Sequence, residues 1–432
     1  MEPIVTIHSF NDAYAELAAV SITSLVHNHP SRDCHVHIFE NSISEEVAAK
    51  ILAIGQKYPN AKIAVHHISD DAFAEVADEC YGKETWYPLL APEILSDLDK
   101  ALLLEPDTLV CRDISDLFDM QLGDSPMACH LRKSVTPDHQ ATGQPTYFNA
   151  GVLLFNLRYI RENDAFNMRN LTNFVKAARL RFSLSPWYAQ EYYLNCILDH
   201  SSLLHYPFKF NFFPFASFLL FNSNDIDFGE ICEALSNPAI LHYTGTKPND
   251  SLCRASLNTI EKWWEYHALS PFADSSATRF HEIIEYRNTL RGPLCSLANY
   301  TQYLFFDDIV EAIEKLKRFS EKGIRVVFYG AGYSGVVFAR IARAMGLVPD
   351  KVCDRSKFGT TIDGINIESP DVLRLDNGNT IVVIAIMEPQ ILTEVKNTLL
   401  GYGIPEHHIL PVFEQLALGG RRWGEILESV HL

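Results

Sequence analysis

A strand–helix–strand pattern occurs near both ends of this chain, and it constrains the fold more than any other feature. At the start, the apolar run IVTIH (4–8) is followed by a helix-type segment (13–28) and by a second apolar run, HVHIF (35–39). Two strands joined by a helix become parallel neighbours in one sheet, because the crossover is right-handed in nearly all proteins. Another apolar run, KIAVHHI (62–68), continues the pattern. The sequence therefore predicts an α/β fold with a doubly wound, mostly parallel sheet.

The second occurrence of the pattern predicts a smaller α/β domain. A strand, a glycine turn and a helix (324–346) precede two further strand-type runs, KVCD (351–354) and NTIVVIAI (379–386). A chain of 432 residues is also longer than one hydrophobic core usually supports. We therefore predict a first domain, a helical connector and a second domain, over residues 1–272, 273–321 and 322–432.

The glycine turn has the pattern G-x-G-x-x-G between a strand and a helix. Its glycines are Gly330, Gly332 and Gly335, and Asp354 ends the next strand. This arrangement suits a nucleotide, with a phosphate at the helix N-terminus and a ribose near Asp354. The alternative is close packing of the strand on the helix, which also needs small residues. The segment resembles the Rossmann-like modules that are appended to bacterial polysaccharide enzymes.

Charge and hydropathy argue against two classes of protein. The formal net charge is −18 and no cluster of Lys and Arg occurs, so no nucleic-acid partner is expected. No apolar run approaches the roughly 18 residues of a membrane helix, and no signal peptide is indicated. The nine cysteines show no CxxC spacing and are expected to be reduced thiols. These features predict a cytoplasmic protein.

One aromatic stretch, FKFNFFPFASFLLF (208–221), is the most apolar part of the sequence. Buried core is the favoured interpretation. A platform for a sugar and a contact with a membrane surface are the alternatives. A peripheral membrane contact therefore stays open, whereas no transmembrane segment is predicted. A homo-oligomer is also left open, because the sequence carries no signal for the oligomeric state.

A pair of carboxylates follows a buried strand in the segment KALLLEPDTLV (100–110). Glu105 and Asp107 are two residues apart, a spacing that directs both side chains to the same side of an extended chain. The carboxyl ends of parallel strands are where open α/β sheets bind ligands. Hard oxygen ligands there suit Mg²⁺ or Mn²⁺ bound to a diphosphate. A solvated acidic turn is the alternative.

Three further motifs are TYFNAGVLLFNL (146–157), ILHYTGTKP (240–248) and WWEYHALSPF (263–272). Together they resemble the family 8 retaining glycosyltransferases, the group that includes glycogenin and bacterial lipopolysaccharide galactosyl- and glucosyltransferases. The resemblance covers residues 3 to 272. It implies a glycosyltransferase A-type fold that binds a nucleotide sugar, usually linked to UDP, together with Mn²⁺.

The resemblance implies a set of metal ligands. In that family the metal is held by a D-x-D motif and a downstream histidine. Glu105 and Asp107 fall on the two acidic positions and His242 on the histidine. Lys247, which follows Gly245 in the same motif, matches a lysine that faces the diphosphate. The predicted cofactor is Mn²⁺ or Mg²⁺, which would offset negative charge on the departing UDP.

The resemblance also implies contacts with the donor. The segment HSFNDAYAELAAVSITSL (8–25) is similar to the base-binding start of the family, with Asn11, Asp12 and Tyr14 at positions that meet uracil and ribose. Asn149 matches an asparagine beside the donor sugar. From the residues alone, Tyr14 would equally be a hydrophobic staple, and Asn149 would equally bond its own turn.

Two segments depart from the family pattern. Pro88 stands at the position of an arginine that steadies the carboxylates and the donor. Gln190, Glu191 and Tyr192 stand where the family has Asp, Gln and Asp, which puts Glu191 at the glutamine beside the anomeric carbon. An alignment shifted by one residue keeps Gln190 at that place, and both alignments stay open.

We therefore predict a bacterial-type retaining hexosyltransferase. It would move a sugar from UDP-glucose or UDP-galactose to a surface-glycan or lipopolysaccharide-type acceptor. The alternative, favoured by Pro88 and Tyr192, is a nucleotide-sugar-binding subunit without turnover. The candidate catalytic residues are Asn149, Gln190, Glu191 and Lys247.

Overall fold

The computed structural model divides the chain into two compact units. The described residues are 1–69, 71, 73, 75, 82–133, 140, 142–182, 190–215, 226–274, 276–295, 306–375, 379–386 and 388–412. The first unit consists of Met1–Phe212, Asn237–Thr244 and Glu261–Arg279. The second unit consists of Phe213–Ser236, Gly245–Ile260 and Phe280–Leu432.

Both units are built from helices and strands. The described helices are α1 (Ala15–His27), α2 (Glu45–Lys57), α3 (Ala91–Ile94), α4 (Ser115–Phe118), α5 (Leu157–Asn163), α6 (Leu171–Phe182), α7 (Gln190–Ile197), α8 (Phe228–Ser236), α9 (Leu257–Leu269), α10 (Ser276–Cys295), α11 (Phe306–Glu321), α12 (Tyr333–Ala344) and α13 (Pro389–Gly401). The described strands of the first unit are β1 (Ile4–Ser9), β2 (Cys34–Glu40), β3 (Ala61–His67), β4 (Lys100–Leu104), β5 (Thr108–Val110), β6 (Met127–Cys129), β7 (Arg132–Lys133), β8 (Thr146–Tyr147), β9 (Val152–Asn156), β10 (Leu204–His205) and β11 (Ile240–His242). Those of the second unit are β12 (Arg325–Tyr329), β13 (Lys351–Cys353), β14 (Thr361–Ile362), β15 (Ile365–Glu368), β16 (Thr380–Ile384) and β17 (Ile409–Pro411).

The first unit contains a seven-stranded sheet with the order β10-β6-β9-β4-β1-β2-β3. β1 pairs in parallel with β2 and with β4, and β2 pairs in parallel with β3. β9 runs antiparallel to its neighbours β4 and β6. The predicted α/β fold with a mostly parallel sheet is confirmed.

The strands at the centre of this sheet are buried on both faces. Every residue of β9 is buried, and so are the last four residues of β4. Continuous burial is expected where helices cover both faces of a sheet, and it explains the unbroken apolar run before Glu105. The core thus fixes the end of β4, from which the carboxylate turn begins.

The second unit contains a six-stranded sheet with the order β14-β15-β13-β12-β16-β17. β12 lies at its centre and pairs in parallel with β13 and β16. β13 and β16 pair in parallel with β15 and β17, while β14 is antiparallel to β15. The second α/β pattern of the sequence therefore corresponds to a separate sheet.

The two units are not continuous segments of the chain. Residues 213–236 and 245–260, which the sequence prediction assigned to the first domain, belong to the second unit. One reason is that α8 packs against α12 within the second unit. Within the predicted connector, 273–321, the described residues from 276 onwards form the helices α10 and α11.

The aromatic side chains of the stretch 208–221 are buried wherever the structure describes them. Its buried members are Phe208, Phe210, Phe212, Phe213 and Phe215. Residues 216–221 lie outside the described part of the chain. None of the described helices combines the length and the apolar character that a bilayer crossing requires.

Candidate active site

The turn after β4 carries two carboxylates, and strand pairing brings a histidine to them. The amide of Thr108 donates to the carbonyl of Glu105 at 3.1 Å, which closes a tight turn that includes Asp107. β5 then pairs antiparallel with β11, and in this register His242 lies opposite Thr108. The amide of Tyr243 also donates to the carbonyl of Asp107 at 3.0 Å. Backbone pairing therefore positions the imidazole beside both carboxylates.

The side chains of Glu105, Asp107 and His242 converge. Nε2 of His242 lies 3.2 Å from Oε2 of Glu105 and 3.2 Å from Oδ1 of Asp107. One ligand atom from each residue lies within 4.8 Å of the others, and Asp107 and His242 are buried while Glu105 is half-buried. Two carboxylate oxygens and an imidazole nitrogen are ligands that suit Mn²⁺ or Mg²⁺. The three residues therefore fit a divalent cation.

The carboxylates also control the protonation of His242. Burial by itself lowers the pKa of the imidazole, but the charges and hydrogen bonds of Asp107 and Glu105 outweigh it and raise the pKa to about 9. The imidazolium offsets the two negative charges when no cation is bound. A metal ion and a proton thus compete for the same ring nitrogen.

Gly151, in the YFNAG motif, lets the histidine approach the backbone. Its carbonyl accepts a hydrogen bond from the amide of Glu105 at 2.9 Å, so it lies beside the carboxylate turn. A Cβ atom at this position would lie 2.0 Å from Cε1 of His242. Only glycine leaves room for the ring, a requirement that the sequence analysis missed although the motif contains it.

The Glu191 carboxylate is held by three donors at the turn before β9. Oε2 accepts from Nδ2 of Asn149 at 2.7 Å and from the amide of Ala150 at 2.9 Å. Oε1 accepts from the hydroxyl of Tyr147 at 2.7 Å. Burial raises the pKa of Glu191 above its usual range, against the lowering effect of the bonds from Ala150 and Tyr147. Two candidate catalytic residues, Glu191 and Asn149, are therefore in direct contact.

A positive charge acts on Glu191 from β7. Arg132 pairs with Tyr147, and its guanidinium lies 5.9 Å from the centre of that ring. The charge of Arg132 opposes the rise in the pKa of Glu191. Pro88, at the position of the family arginine, is buried in a short 3-10 helix. Arg132 lies in no family motif, so it was not among the residues predicted from the sequence.

Asn211 joins the metal-ligating histidine to the Glu191 turn. Its Oδ1 lies 2.9 Å from Nδ1 of His242, and its Nδ2 donates to Oδ1 of Asn149 at 3.2 Å. The residue is 1% exposed, so water does not compete for these bonds. Asn211 could not be selected from the sequence, because a single asparagine in an aromatic stretch looks the same as an ordinary residue at the edge of a core.

The predicted base-binding residues lie together after β1. Asn11 accepts from the amide of Ala13 at 3.1 Å and caps a short 3-10 turn, and Asp12 accepts from the amide of Ser44 at 2.8 Å. Both side chains therefore organise the loop. Tyr14 is 43% exposed, so its ring is accessible to a ligand and is not buried as a staple.

The remaining candidates of the transferase region are distributed over both units. Gln190 and Tyr192 are buried on α7, on either side of Glu191. Gly245 and Lys247 follow β11 and belong to the second unit, where the amide of Asp250 donates to the carbonyl of Lys247 at 2.9 Å. The roles of Gln190, Gly245 and Lys247 stay predictions, whereas Tyr192 was noted only as a departure from the family pattern.

The glycine turn of the second unit is tightly built. Gly330 has a φ of +111°, in the region that favours glycine, and a Cβ atom on Gly335 would lie 2.0 Å from the carbonyl oxygen of Gly330. Gly332 differs, because a Cβ atom there would meet nothing within 4 Å. Close packing thus accounts for Gly330 and Gly335.

Asp354 is occupied by bonds within its own loop. Oδ2 accepts from the amide of Ala331 at 2.7 Å, and Oδ1 accepts from the amide and hydroxyl of Ser356 and from the amide of Lys357 at 2.8–3.0 Å. Burial raises the pKa of Asp354, but these hydrogen bonds outweigh it and hold the pKa below its usual range. The carboxylate that was predicted to meet a ribose ties the glycine turn to the loop after β13.

Comparison with known proteins places the first part of the chain in a sequence family. The family model described as glycosyl transferase family 8 matches residues 5–252, more than half of the 432 residues. Glycosyltransferase GlyA of Streptococcus pneumoniae serotype 4 (strain ATCC BAA-334 / TIGR4) is 28% identical over 200 residues. That match covers 44% of this chain and 25% of GlyA, so the chain spans about a quarter of the length of this curated relative.

Two solved structures share the fold. Galactosyltransferase LgtC, in complex with donor and acceptor sugar analogs, has a TM-score of 0.52 and 24% identity, and the match covers 62% of this chain and 96% of LgtC. The bifunctional glycosyltransferase WbbM has a TM-score of 0.50 and 19% identity, and the match covers 64% of this chain and 51% of WbbM. The likeness to LgtC agrees with the α/β architecture of the first sheet.

Proposed function

Because the chain belongs to glycosyl transferase family 8, we propose that it is a retaining glycosyltransferase. It transfers a hexose from UDP-glucose or UDP-galactose to a surface-glycan or lipopolysaccharide-type acceptor. The observation that carries the proposal is the convergence of Glu105, Asp107 and His242 at the end of β4. These residues would hold Mn²⁺ or Mg²⁺, and the bound cation would offset negative charge on the departing UDP. The name of the relative GlyA, a glycosyltransferase, supports sugar transfer.

The proposed reaction is a substitution at the anomeric carbon with retention. The bond from this carbon to the diphosphate oxygen breaks, a bond to the acceptor oxygen forms on the same face, and the acceptor proton passes to the departing diphosphate. Glu191 contributes a fixed negative charge that stabilises the positively charged sugar, and Asn149 orients the sugar beside it. A double displacement through Glu191 is the second form of the same reaction.

Release of UDP from UDP-glucose and UDP-galactose, with and without Mn²⁺, tests the proposal. We expect release that depends on the metal and rises when an acceptor glycan is added. A protein that binds UDP and Mn²⁺ together, yet releases no UDP from any hexose donor, would be the non-catalytic binding subunit instead. The burial of Pro88 and Tyr192, where the family has charged residues, favours this second candidate.

For the second unit we propose a Rossmann-like module. Its parallel strands have the order β15-β13-β12-β16-β17, which matches the first five strands of the 3-2-1-4-5-6 order of a dinucleotide-binding sheet. Close packing of Gly330 and Gly335 and the occupied carboxylate of Asp354 support a structural role for the glycine turn. Titration of the full chain with NAD⁺ and with UDP-sugars in the Asp107→Asn background tests for a nucleotide site. We expect no binding under these conditions.

A further inference from the structure

We propose that Asn211 and Asn149 are positioning residues that orient the imidazole of His242 for metal binding through a hydrogen-bonded chain anchored at Glu191. We call the chain Glu191–Asn149–Asn211–His242 the asparagine relay. The inference rests on the proposed function, because it assigns His242 as a metal ligand. Beyond that function, it identifies the residues that determine which nitrogen of the His242 ring faces the cation.

The orientation of the relay begins at the backbone. Oε2 of Glu191 accepts a hydrogen bond from the backbone amide of Ala150, which identifies this oxygen as an acceptor. The group of Asn149 that faces Oε2 must therefore be the NH₂ donor. On its other side, Oδ1 of Asn149 accepts from the amide of Gly151 at 2.9 Å. If the Asn149 amide were flipped, its NH₂ group would face the amide of Gly151, which is also a donor. Its carbonyl oxygen would face Oε2 of Glu191, which is also an acceptor. Two backbone amides therefore fix Asn149 in one orientation.

The orientation then passes to Asn211. Oδ1 of Asn149 is an acceptor, so the contact at 3.2 Å comes from the NH₂ group of Asn211. Asn211 also forms a hydrogen bond with Tyr206, whose hydroxyl donates to the carbonyl of Val152 and so offers its oxygen as an acceptor. Both contacts place the NH₂ group of Asn211 on the side away from His242. Its carbonyl oxygen is left to face the ring.

The last bond of the relay decides the tautomer of His242. An amide oxygen can only accept, so Nδ1 of the ring, 2.9 Å from Oδ1 of Asn211, carries hydrogen. Nε2, which lies 3.2 Å from both Glu105 and Asp107, then supplies the lone pair that a metal requires. Ligating histidines are commonly oriented by a hydrogen bond at the other nitrogen, and here an amide side chain makes that bond.

Backbone pairing keeps Asn211 in register with the histidine. The amide of Phe212 donates to the carbonyl of Ile240 at 3.0 Å, and the amide of His242 donates to the carbonyl of Phe212 at 2.9 Å. Phe212 therefore lies beside β11, and the backbone hydrogen bonds on both sides of it hold Asn211 at a fixed place relative to His242. Such rigidity is what a positioning residue needs, because a shift of the amide would release the ring.

Binding of Mn²⁺ in the presence of UDP, measured by titration calorimetry and by the electron paramagnetic resonance of free Mn²⁺, tests the relay. Asn211→Leu removes the acceptor for Nδ1, and we expect Mn²⁺ affinity to fall about 10–100-fold. Asn211→Asp keeps an acceptor at the same place and should bind Mn²⁺ at least about tenfold more tightly than Asn211→Leu. Rescue by the aspartate would not follow from a packing role alone.

Asn156→Leu is the matched control for the loss of a buried amide. Asn156 is 7% exposed, and its side-chain amide bonds to backbone groups of Gly123, Ser125 and Tyr159. We expect it to reduce stability but not Mn²⁺ affinity. Equal losses of affinity in Asn156→Leu and Asn211→Leu would overturn the relay.

Glu191 provides a second variant pair that tests the anchor if Asn211→Leu does not fold. Glutamine can place its oxygen at Oε2 and its NH₂ group towards the hydroxyl of Tyr147, so Glu191→Gln should keep Mn²⁺ affinity. Glu191→Ala removes the anchor and should weaken Mn²⁺ binding. Wild-type Mn²⁺ affinity in Glu191→Ala would refute the anchor, and wild-type affinity in Asn211→Leu would refute the whole relay; either result leaves the metal site intact. A wild-type protein that binds no Mn²⁺ with UDP would refute the proposed function itself.

Discussion

Each unit has an acidic residue just beyond a central strand of its sheet, but the carboxylates have different partners. Glu105 and Asp107 follow β4 and face a histidine that arrives from β11, with Glu105 only half-buried. Asp354 follows β13 and accepts four hydrogen bonds from Ala331, Ser356 and Lys357. The same sequence signal, an acidic residue at the end of a strand, therefore marks a candidate ligand site in one unit. In the other unit it marks a carboxylate that holds the conformation of a loop through hydrogen bonds.

The difference lies in where the neighbouring donors come from. Beyond β13, backbone amides from the glycine turn and from the following turn point at the carboxylate and use its acceptors. Beyond β4, the carboxylates face an imidazole whose Nε2 can exchange its proton for a cation. The acceptors of Asp354 are therefore used to hold its own loop, whereas Glu105 and Asp107 form part of a set of ligands that suits a metal ion.

The largest expected effect separates the two turns by function. Asp107→Asn removes a charged ligand, and we expect Mn²⁺-dependent UDP release to fall about 100-fold or more, since metal assistance is worth several kcal/mol. The added stability from UDP with Mn²⁺, about 2.7 kcal/mol at 100 times the dissociation constant, should also disappear. Asp354→Asn is the control and should leave UDP release unchanged. Loss of activity in both variants would show that the comparison is wrong.

A second test contrasts two glycines of the same turn. Gly335→Ala places a methyl group against the carbonyl of Gly330, and we expect the free energy of unfolding to fall by about 1–3 kcal/mol, as for overpacking in a core. Gly332→Ala meets open space at an ordinary φ of −70° and should change stability little. Urea unfolding of both variants measures the contrast. A stable Gly335→Ala would remove packing as the explanation for the motif.

A third test concerns acid. His8 is on β1, a central strand of the first sheet, and burial lowers its pKa to about 3, with no hydrogen-bond partner for either ring nitrogen among the described residues. The unfolded chain binds a proton near pH 6.5, so the free energy of unfolding should fall as the pH decreases from 6.5 towards 3, by up to about 1.4 kcal/mol per pH unit. His8→Leu should flatten this dependence.

Burial also lowers the pKa of five other histidines of the first unit, His29, His35, His37, His66 and His200. An unchanged acid response in His8→Leu would mean that the other five carry it.

The smallest expected effect is that of Glu105→Asp. The family has Asp at this position, and the half-buried side chain has room to adjust. We expect the rate of UDP release to stay within about tenfold of the wild type. The added stability from UDP with Mn²⁺ should stay within about 1.4 kcal/mol of the wild-type value. A loss as large as that in Asp107→Asn would show that the longer side chain is required by the turn.

Local patterns in the sequence were sufficient to predict the first strands of the sheet and the α/β class of the fold. The runs 4–8, 35–39 and 62–68 became β1, β2 and β3 with ends shifted by one residue, because apolar periodicity and burial act along the chain itself. The same holds for the carboxylate turn, since a strand buried on both faces must end where Glu105 begins. The family motifs added His242, which composition and spacing would not have selected.

Only the tertiary structure decided which of these groups are joined. Asn211 contacts His242 and Asn149, which lie 31 and 62 residues away, and the role of Asp354 depends on Ala331, 23 residues before it. The assignment of 213–236 and 245–260 to the second unit is of the same kind. Hydrogen bonds and packing between distant segments depend on strand register and loop geometry. They therefore cannot be predicted from the residues that neighbour each group in the sequence.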